Sequence, residues 1–104
     1  QYANITSTNA AQMLGLYPRK GAIAAGSDAD ITIIDPTIKK ALTKDDLHVR
    51  DYSPWEGWEI EGWPSTVMLR GKIMVDDGQL LGGPTDGQLI SRKIDQVVLN
   101  RPAF

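Results

Sequence analysis

Cysteine is absent from this sequence, and histidine occurs once among its 104 residues, as His48. The lack of cysteine excludes disulfides, thiolate metal ligands and thiol nucleophiles, and it fits a reducing compartment. A single histidine excludes a hydrolytic metal centre built from several histidines of this chain. No apolar run approaches the roughly 20 residues of a membrane-spanning helix. We therefore expect a cytoplasmic location and no membrane contact.

An excess of positive charge is also lacking. Eleven basic and thirteen acidic residues give a formal net charge of −2, and the cations are scattered along the chain. Nucleic acid is therefore not an expected partner. The hydrophobic content of 41% is ordinary for a globular protein, and a chain of this length can form one modest core.

Catalytic patterns are missing as well. His48 stands in the polar stretch TKDDLHVR without an H-x-H or H-E-x-x-H context, so we interpret it as a loop or packing residue. The neighbouring Asp45 and Asp46 belong to a solvated charge run, and Asp76 and Asp77 belong to a turn before Gly78. The stretch GAIAAG lacks the Lys-Ser/Thr of a phosphate-binding loop, and no serine lies in G-x-S-x-G. We predict no catalytic, cofactor-binding or metal-ligating residue in this chain.

Helix and strand signals begin near the start of the chain. Capping residues over 6–9 and the apolar spacing that follows predict one short amphipathic helix, which ends before Pro18. The β-branched run 31–34 predicts a strand buried on both faces, and 38–42 predicts a second short strand. Residues 43–50 are expected to form a polar loop with a helical turn.

The second half of the chain predicts a β-meander. Strands are expected at 66–69, 72–75 and 79–81, with tight turns at Arg70-Gly71 and Asp77-Gly78. Residues 82–88 are expected to form a linker, and the apolar spacing in 89–104 predicts a short helix with an extended end. The fold class is therefore mainly β with short helices (α+β), an antiparallel meander or partial β-sandwich.

All three tryptophans stand in residues 51–64, DYSPWEGWEIEGWP, together with two prolines and two glycines. Two interpretations are open. The indoles form a platform for a sugar, a cation or a proline-rich peptide, or they cap the core at a corner where the chain reverses. The turn residues around them favour the corner.

Two groups of residues in this sequence resemble a known family. The pattern G-x-I-x-x-G-x-x-A-D, present as Gly21, Ile23, Gly26, Ala29 and Asp30, is shared across the amidohydrolase superfamily. A second string is narrower and resembles the dihydropyrimidinase and hydantoinase branch, which opens cyclic amides; it comprises Pro54, Glu56-Gly57-Trp58, Gly62 and Arg70-Gly71. One departure is Ala10, where relatives often have proline, and it affects only the first helical turn.

The resemblance implies that this chain is the C-terminal end of a longer enzyme, as its start at Gln1 also suggests. Residues 1–18 would be the remnant of the last helix of a missing TIM barrel. Residues 19–84 would form part of a β-sandwich with the Trp-rich loop 51–64, and residues 85–104 a C-terminal assembly arm. The family binds two divalent metal ions, zinc in this class, in the barrel, and none of those ligands maps onto a residue of this chain.

Three functions follow as hypotheses. The first is a non-catalytic portion of a metal-dependent hydrolase of cyclic amide C–N bonds, which serves stability and subunit assembly. The alternatives are a non-catalytic interaction protein on the same scaffold and an aromatic ligand-binding module. We expect a homo-oligomer through an exposed sheet edge and residues 89–104. In the family context, Trp55, Trp58 and Trp63 are expected to pack over the junction before the meander.

Overall fold

The computed structural model describes residues 1–48 and 51–100. One antiparallel sheet forms its centre, with strands adjacent in chain order: β1 (Ile31–Ala41), β2 (Glu59–Leu69), β3 (Lys72–Asp76) and β4 (Gln79–Leu80). A π-helical turn (Asn4–Thr8) leads into helix α1 (Asn9–Met13), and helix α2 (Gln96–Leu99) follows the sheet. The predicted class, mainly β with short helices, is confirmed. Within these two described ranges, no helix has the length and apolar character needed to cross a bilayer.

The two predicted hairpin turns are present. Arg70 and Gly71 have φ angles of 48° and 81°, and Asp77 and Gly78 have φ angles of 44° and 76°. Two consecutive residues with positive φ form the turn whose twist matches that of antiparallel strands. β3 and β4 therefore follow their predicted positions closely, and β2 ends at Leu69 as predicted.

The first strand differs from its prediction. β1 is one strand of 11 residues instead of two short ones, and the carboxylate of Asp35 accepts hydrogen bonds from the backbone and hydroxyl of Thr37 at its irregular point. Ile33 and Ile34 are 46% and 42% exposed, so burial on both faces is wrong. The apolar run indicated the strand correctly, but burial also needs a covering layer on each side, which periodicity does not report.

The second strand begins earlier than predicted. β2 starts at Glu59, so Trp63 and Pro64 lie in a strand and not in a loop that extends to residue 64. Pro64 lies opposite Ile34, next to a register shift, and Gly62 has a φ of 88°. A bulged position accepts a proline because no regular ladder hydrogen bond is lost there. The turn residues of this stretch therefore mark an irregular strand.

Both helical segments are shorter than the apolar spacing indicated. α1 ends at Met13, because Gly15 takes a φ of 68° and the backbone amides of Leu16 and Tyr17 both donate hydrogen bonds to the Ala11 carbonyl. In the assembly arm the helix is confined to α2, where the Asp95 carboxylate caps the amide of Val97 at 2.8 Å. Residues 101–104, the last part of the tail that was predicted to end in an extended conformation, lie outside the described residues, as do Val49 and Arg50 of the predicted polar loop.

Three glycines differ in whether a side chain at their position would meet backbone strain, a steric clash, both or neither. Gly15 has a φ of 68°, and a β-carbon added there would lie 2.5 Å from the Lys93 carbonyl carbon. Gly71 has a φ of 81° but open space around it. Gly87 has neither constraint. We expect Gly87→Ala to leave the free energy of unfolding nearly unchanged, and Gly71→Ala to lower it by about 1–2 kcal/mol. Gly15→Ala should lower it further. Thermal unfolding followed by circular dichroism gives this order, and equal losses at Gly15 and Gly71 would contradict the contact with the arm.

Candidate interaction surfaces

The described residues leave an unusually large surface exposed. The solvent-accessible area is 8472 Å², whereas a compact protein of 11.4 kDa exposes about 5,800 Å². The radius of gyration is 16.3 Å, against about 13 Å for a globular chain of this length. Among the described residues, only Ala11, Leu42 and Ser53 are buried. Exposed and partly exposed side chains therefore make up nearly all of the described chain.

Both faces of the sheet carry apolar side chains. Residues directly opposed in antiparallel strands point to the same face, so Ile31, Met68 and Ile73 share one face. Val67, Val75 and Leu80 share the other by the same pairing. Ile73 and Leu80 are exposed. A sheet that is apolar on both faces is typical of a layer covered from two sides.

An aromatic loop, residues 51–58, lies at the end of β1. Two backbone hydrogen bonds of 2.8 Å fix it there, from Gly57 to the Leu42 carbonyl and from Leu42 to the Trp58 carbonyl. Inside the loop, the hydroxyl of buried Ser53 accepts from the Trp55 amide at 3.2 Å. The loop backbone is therefore held in place although its side chains point outward.

The tryptophans do not form one corner. Trp55 and Trp58 are 52% and 61% exposed, so the expectation that they pack over a junction is wrong for the described chain. Trp63 is partly buried, and the ammonium group of Lys40 lies 3.9 Å from the centre of its ring. Sequence spacing could not separate them, because a strand and a loop place neighbouring indoles on different surfaces.

A polar clamp holds Lys40 over Trp63. The Asp46 carboxylate pairs with the Lys40 ammonium group and accepts hydrogen bonds from the backbone and hydroxyl of Thr43, at 3.0 and 2.8 Å. The hydrogen bond from Lys40, followed by those from Thr43, lowers the pKa of Asp46 to about 2. Asp46, predicted to lie in a solvated charge run, therefore has a structural role that residue type alone did not reveal.

A second polar cluster joins the N-terminal segment to the sheet. Lys20 pairs with Asp28 and Asp30, and Asp30 accepts the Arg70 backbone N–H at 2.8 Å. Burial acts to raise the pKa of Asp30, but the bonds from Lys20 and Arg70 outweigh it and hold that pKa below its usual range. Asp30, the last residue of the superfamily pattern, thus serves as a structural acceptor.

The described residues offer no metal site. Within 1–48 and 51–100, no three histidine, aspartate or glutamate side chains converge on a point where an ion could bind. His48 is exposed in a turn, where its ring Nδ1 lies 3.0 Å from the Asp45 carbonyl oxygen. These residues do not fit the metal centre that the sequence resemblance implies for a longer enzyme, and no step of hydrolysis is assigned to them.

Residues 1–74 match the model of the amidohydrolase family. The chain belongs to this family. It is 44% identical over 94 residues to a D-hydantoinase of Rhizobium radiobacter, covering 89% of this chain and 21% of that protein. It is 36% identical over 105 residues to a dihydropyrimidinase 2 of Caenorhabditis briggsae, covering 91% and 20%.

Solved structures agree with this family assignment. A D-hydantoinase from Bacillus sp. AR9 superposes with a TM-score of 0.85 at 45% identity, over 89% of this chain and 21% of that one. An L-hydantoinase from Arthrobacter aurescens superposes with a TM-score of 0.70 at 34% identity, over 75% and 18%. This amidohydrolase chain therefore spans about a fifth of the length of its relatives.

The polar clamp predicts a pH-dependent stability. Since the folded pKa of Asp46 is about 2 against an ordinary 3.8, its contribution to stability is complete above about pH 5 and is lost progressively as the pH falls through 2. We expect Asp46→Asn to unfold more easily than the native chain at pH 5, and most of the difference to disappear near pH 2. Asp45→Asn is the matched control. Denaturant unfolding at both pH values measures this, and a gap that persists at pH 2 would count against the clamp.

Proposed function

We propose that this chain is the non-catalytic portion of a metal-dependent hydrolase of the dihydropyrimidinase and hydantoinase type. The parent enzyme opens a cyclic amide C–N bond, and this portion contributes stability and subunit assembly. The absence of cysteine fits a cytoplasmic parent. The observation that carries the proposal is the exposed area, about 2,700 Å² more than a compact chain of this mass exposes.

The distribution of apolar residues supports a packing role. The sheet is apolar on both faces, and the indoles of Trp55 and Trp58 protrude beside it. The carboxylates of the polar clusters, in contrast, are paired with cations of the same chain. Covering a sheet of this kind stabilises it by about 25 cal/mol per Å² of apolar surface. The similarity to hydantoinases over a fifth of their length supports a larger polypeptide as the source of that cover.

Assembly into a homo-oligomer is part of the same proposal. β1 is an edge strand of 11 residues, and its far side has no partner strand among the described residues. Exposed edges of that length tend to pair with another chain. Residues 89–104 of the assembly arm provide the second expected contact.

A chimera tests the proposed function. The segment of the Bacillus sp. AR9 D-hydantoinase that this chain matches is replaced by the chain, and hydantoin ring opening is measured with zinc supplied. We expect activity within tenfold of that enzyme, about 1.4 kcal/mol in activation free energy. The 104-residue chain alone should show no turnover above background. Turnover by the chain alone, or a folded and inactive chimera, would refute the proposal.

The exposed aromatic loop favours one alternative, an interaction module on the same scaffold without a catalytic parent. Trp55 and Trp58 are the observation behind it. The chimera experiment distinguishes the two functions, since a pure interaction module need not support ring opening. Tryptophan fluorescence of Trp55→Phe and Trp58→Phe variants, titrated with a proline-rich peptide or an oligosaccharide, would detect a ligand that binds the aromatic loop.

A further inference from the structure

The tripeptide Asp-Gly-Gln occurs twice in this chain, in different surroundings. One copy, Asp77-Gly78-Gln79, spans the turn between β3 and β4, and the other, Asp86-Gly87-Gln88, lies at the start of the arm. No other aspartate and no asparagine precedes a glycine. We propose that Asp77 isomerises spontaneously to isoaspartate, and that the fold protects Asp86 from the same reaction. This reactivity goes beyond the proposed function and does not depend on a catalytic parent.

The reaction needs only the two turn residues and water. The Gly78 backbone nitrogen attacks the side-chain carbonyl carbon of Asp77, and a nitrogen–carbon bond forms. The hydroxyl of the carboxyl group leaves as water with the amide proton, which closes a five-membered succinimide ring. Water then adds to the main-chain carbonyl of that ring and breaks its bond to the nitrogen, so the chain now runs through the side chain. Glycine favours ring closure because it has no β-carbon to obstruct it.

The turn leaves both reacting groups accessible. Asp77 and Gly78 are exposed, and a β-carbon built on Gly78 would meet nothing within 4 Å. Among the described residues, the Asp77 carboxylate takes part in no ion pair or hydrogen bond, and the Gly78 amide donates to no other backbone group. The neighbouring Asp76 carboxylate, in contrast, accepts from the Thr66 hydroxyl at 3.0 Å. The Asp77 side chain can therefore rotate toward the Gly78 nitrogen.

The strand after the turn is weakly held. β4 consists of Gln79 and Leu80 alone, and both are exposed. Ring closure brings the Gly78 nitrogen onto the Asp77 side chain, a rotation that a rigid ladder would resist. A two-residue strand at the edge of a sheet opens at low cost, because few contacts are lost. Local opening of β4 therefore gives the chain access to the reactive conformation without global unfolding.

Asp86 has the opposite surroundings. Its Oδ2 accepts the Gly83 backbone amide at 2.7 Å, and its Oδ1 pairs with the Lys72 ammonium group at 2.7 Å. Its backbone carbonyl accepts from the Arg70 guanidinium. The hydrogen bond from Lys72, followed by that from Gly83, holds the pKa of Asp86 below its usual range. Both carboxylate oxygens are therefore engaged, and the neutral carboxyl group that can release water is disfavoured.

Isomerisation at Asp77 would change the sheet. Isoaspartate adds one methylene to the backbone, so the two-residue turn no longer matches the register of β3 and β4. Directly after β4, the amides of Leu81 and Gly82 both donate to the Met74 carbonyl, at 2.8 and 3.0 Å. We expect these two bonds to weaken with β4, so hydrogen exchange at Leu81 and Gly82 reports on the modified turn.

The two identical tripeptides provide an internal comparison. The native chain is incubated at near-neutral pH, and isoaspartate at each site is measured by electron-transfer mass spectrometry of its peptides and by methylation with an isoaspartyl methyltransferase. We expect Asp77 to react about tenfold faster than Asp86, a difference of about 1.4 kcal/mol in activation free energy. In guanidinium chloride, which removes the fold, the two rates should become equal, because the same three residues stand at both sites.

Two variants test the chemistry at the turn. Gly78→Ala should slow isoaspartate formation about tenfold, because its methyl group obstructs the ring. Asp77→Glu keeps the charge but cannot form the five-membered ring, so residue 77 should stay unmodified. After equal incubation, amide exchange at Leu81 and Gly82 should be faster in the native chain and unchanged in Asp77→Glu. Thermal unfolding before incubation shows whether each variant is folded.

A third variant tests the protection of Asp86. Lys72→Met removes one of the two partners of its carboxylate, and isoaspartate at Asp86 should form severalfold faster. Lys39→Met is the matched control, since Lys39 is also an exposed strand lysine in an ion pair, with Glu61. The control should leave the rates at both sites unchanged.

Four outcomes would overturn the inference. They are equal rates at the two sites of the folded chain, a folded chain in which neither site reacts, a difference that persists in guanidinium chloride, and no gain at Asp86 in Lys72→Met. A persistent difference would assign the selectivity to the flanking sequence and not to the fold. None of these measurements uses catalysis, so their result is independent of whether the D-hydantoinase chimera opens hydantoin.

Discussion

The carboxylate of Asp30 joins three parts of the chain. It pairs with Lys20 from the N-terminal segment, it stands directly before β1, and it accepts the backbone amide of Arg70 in the turn between β2 and β3. The Arg70 guanidinium in turn donates to the Asp86 carbonyl at the start of the arm. Because few side chains are buried, this polar junction, rather than a deep apolar core, determines how the helical segment, sheet and arm are arranged.

A molecule held in this way differs from an independent small domain. Its sheet is apolar on both faces, and its buried residues are few and small. An independent domain of this size relies on apolar burial to offset the conformational entropy lost on folding. The structure therefore fits one layer of a larger protein, which agrees with a match that covers about a fifth of the hydantoinases it resembles.

The exposed surfaces of the sheet, the aromatic loop and the arm differ in chemistry. The sheet faces are aliphatic, whereas the aromatic loop is acidic and the arm carries charges of both signs. Aliphatic faces suit permanent burial within one polypeptide, and charged aromatic surfaces suit contacts between folded subunits. The proposed function thus combines an inner role in packing with an outer role in assembly.

The sequence by itself determined the hairpin turns, the meander, the mainly β class and the family. Arg70-Gly71 and Asp77-Gly78 impose local backbone geometry, and the family motifs reflect short stretches of adjacent residues. Tertiary structure decided the exposure of Ile33, Trp55 and Trp58, the role of Asp46, and the end of α1 at Met13. The exposures depend on which distant group covers a side chain, and the other two features depend on the conformation of a turn. Periodicity along the chain carries no information about either.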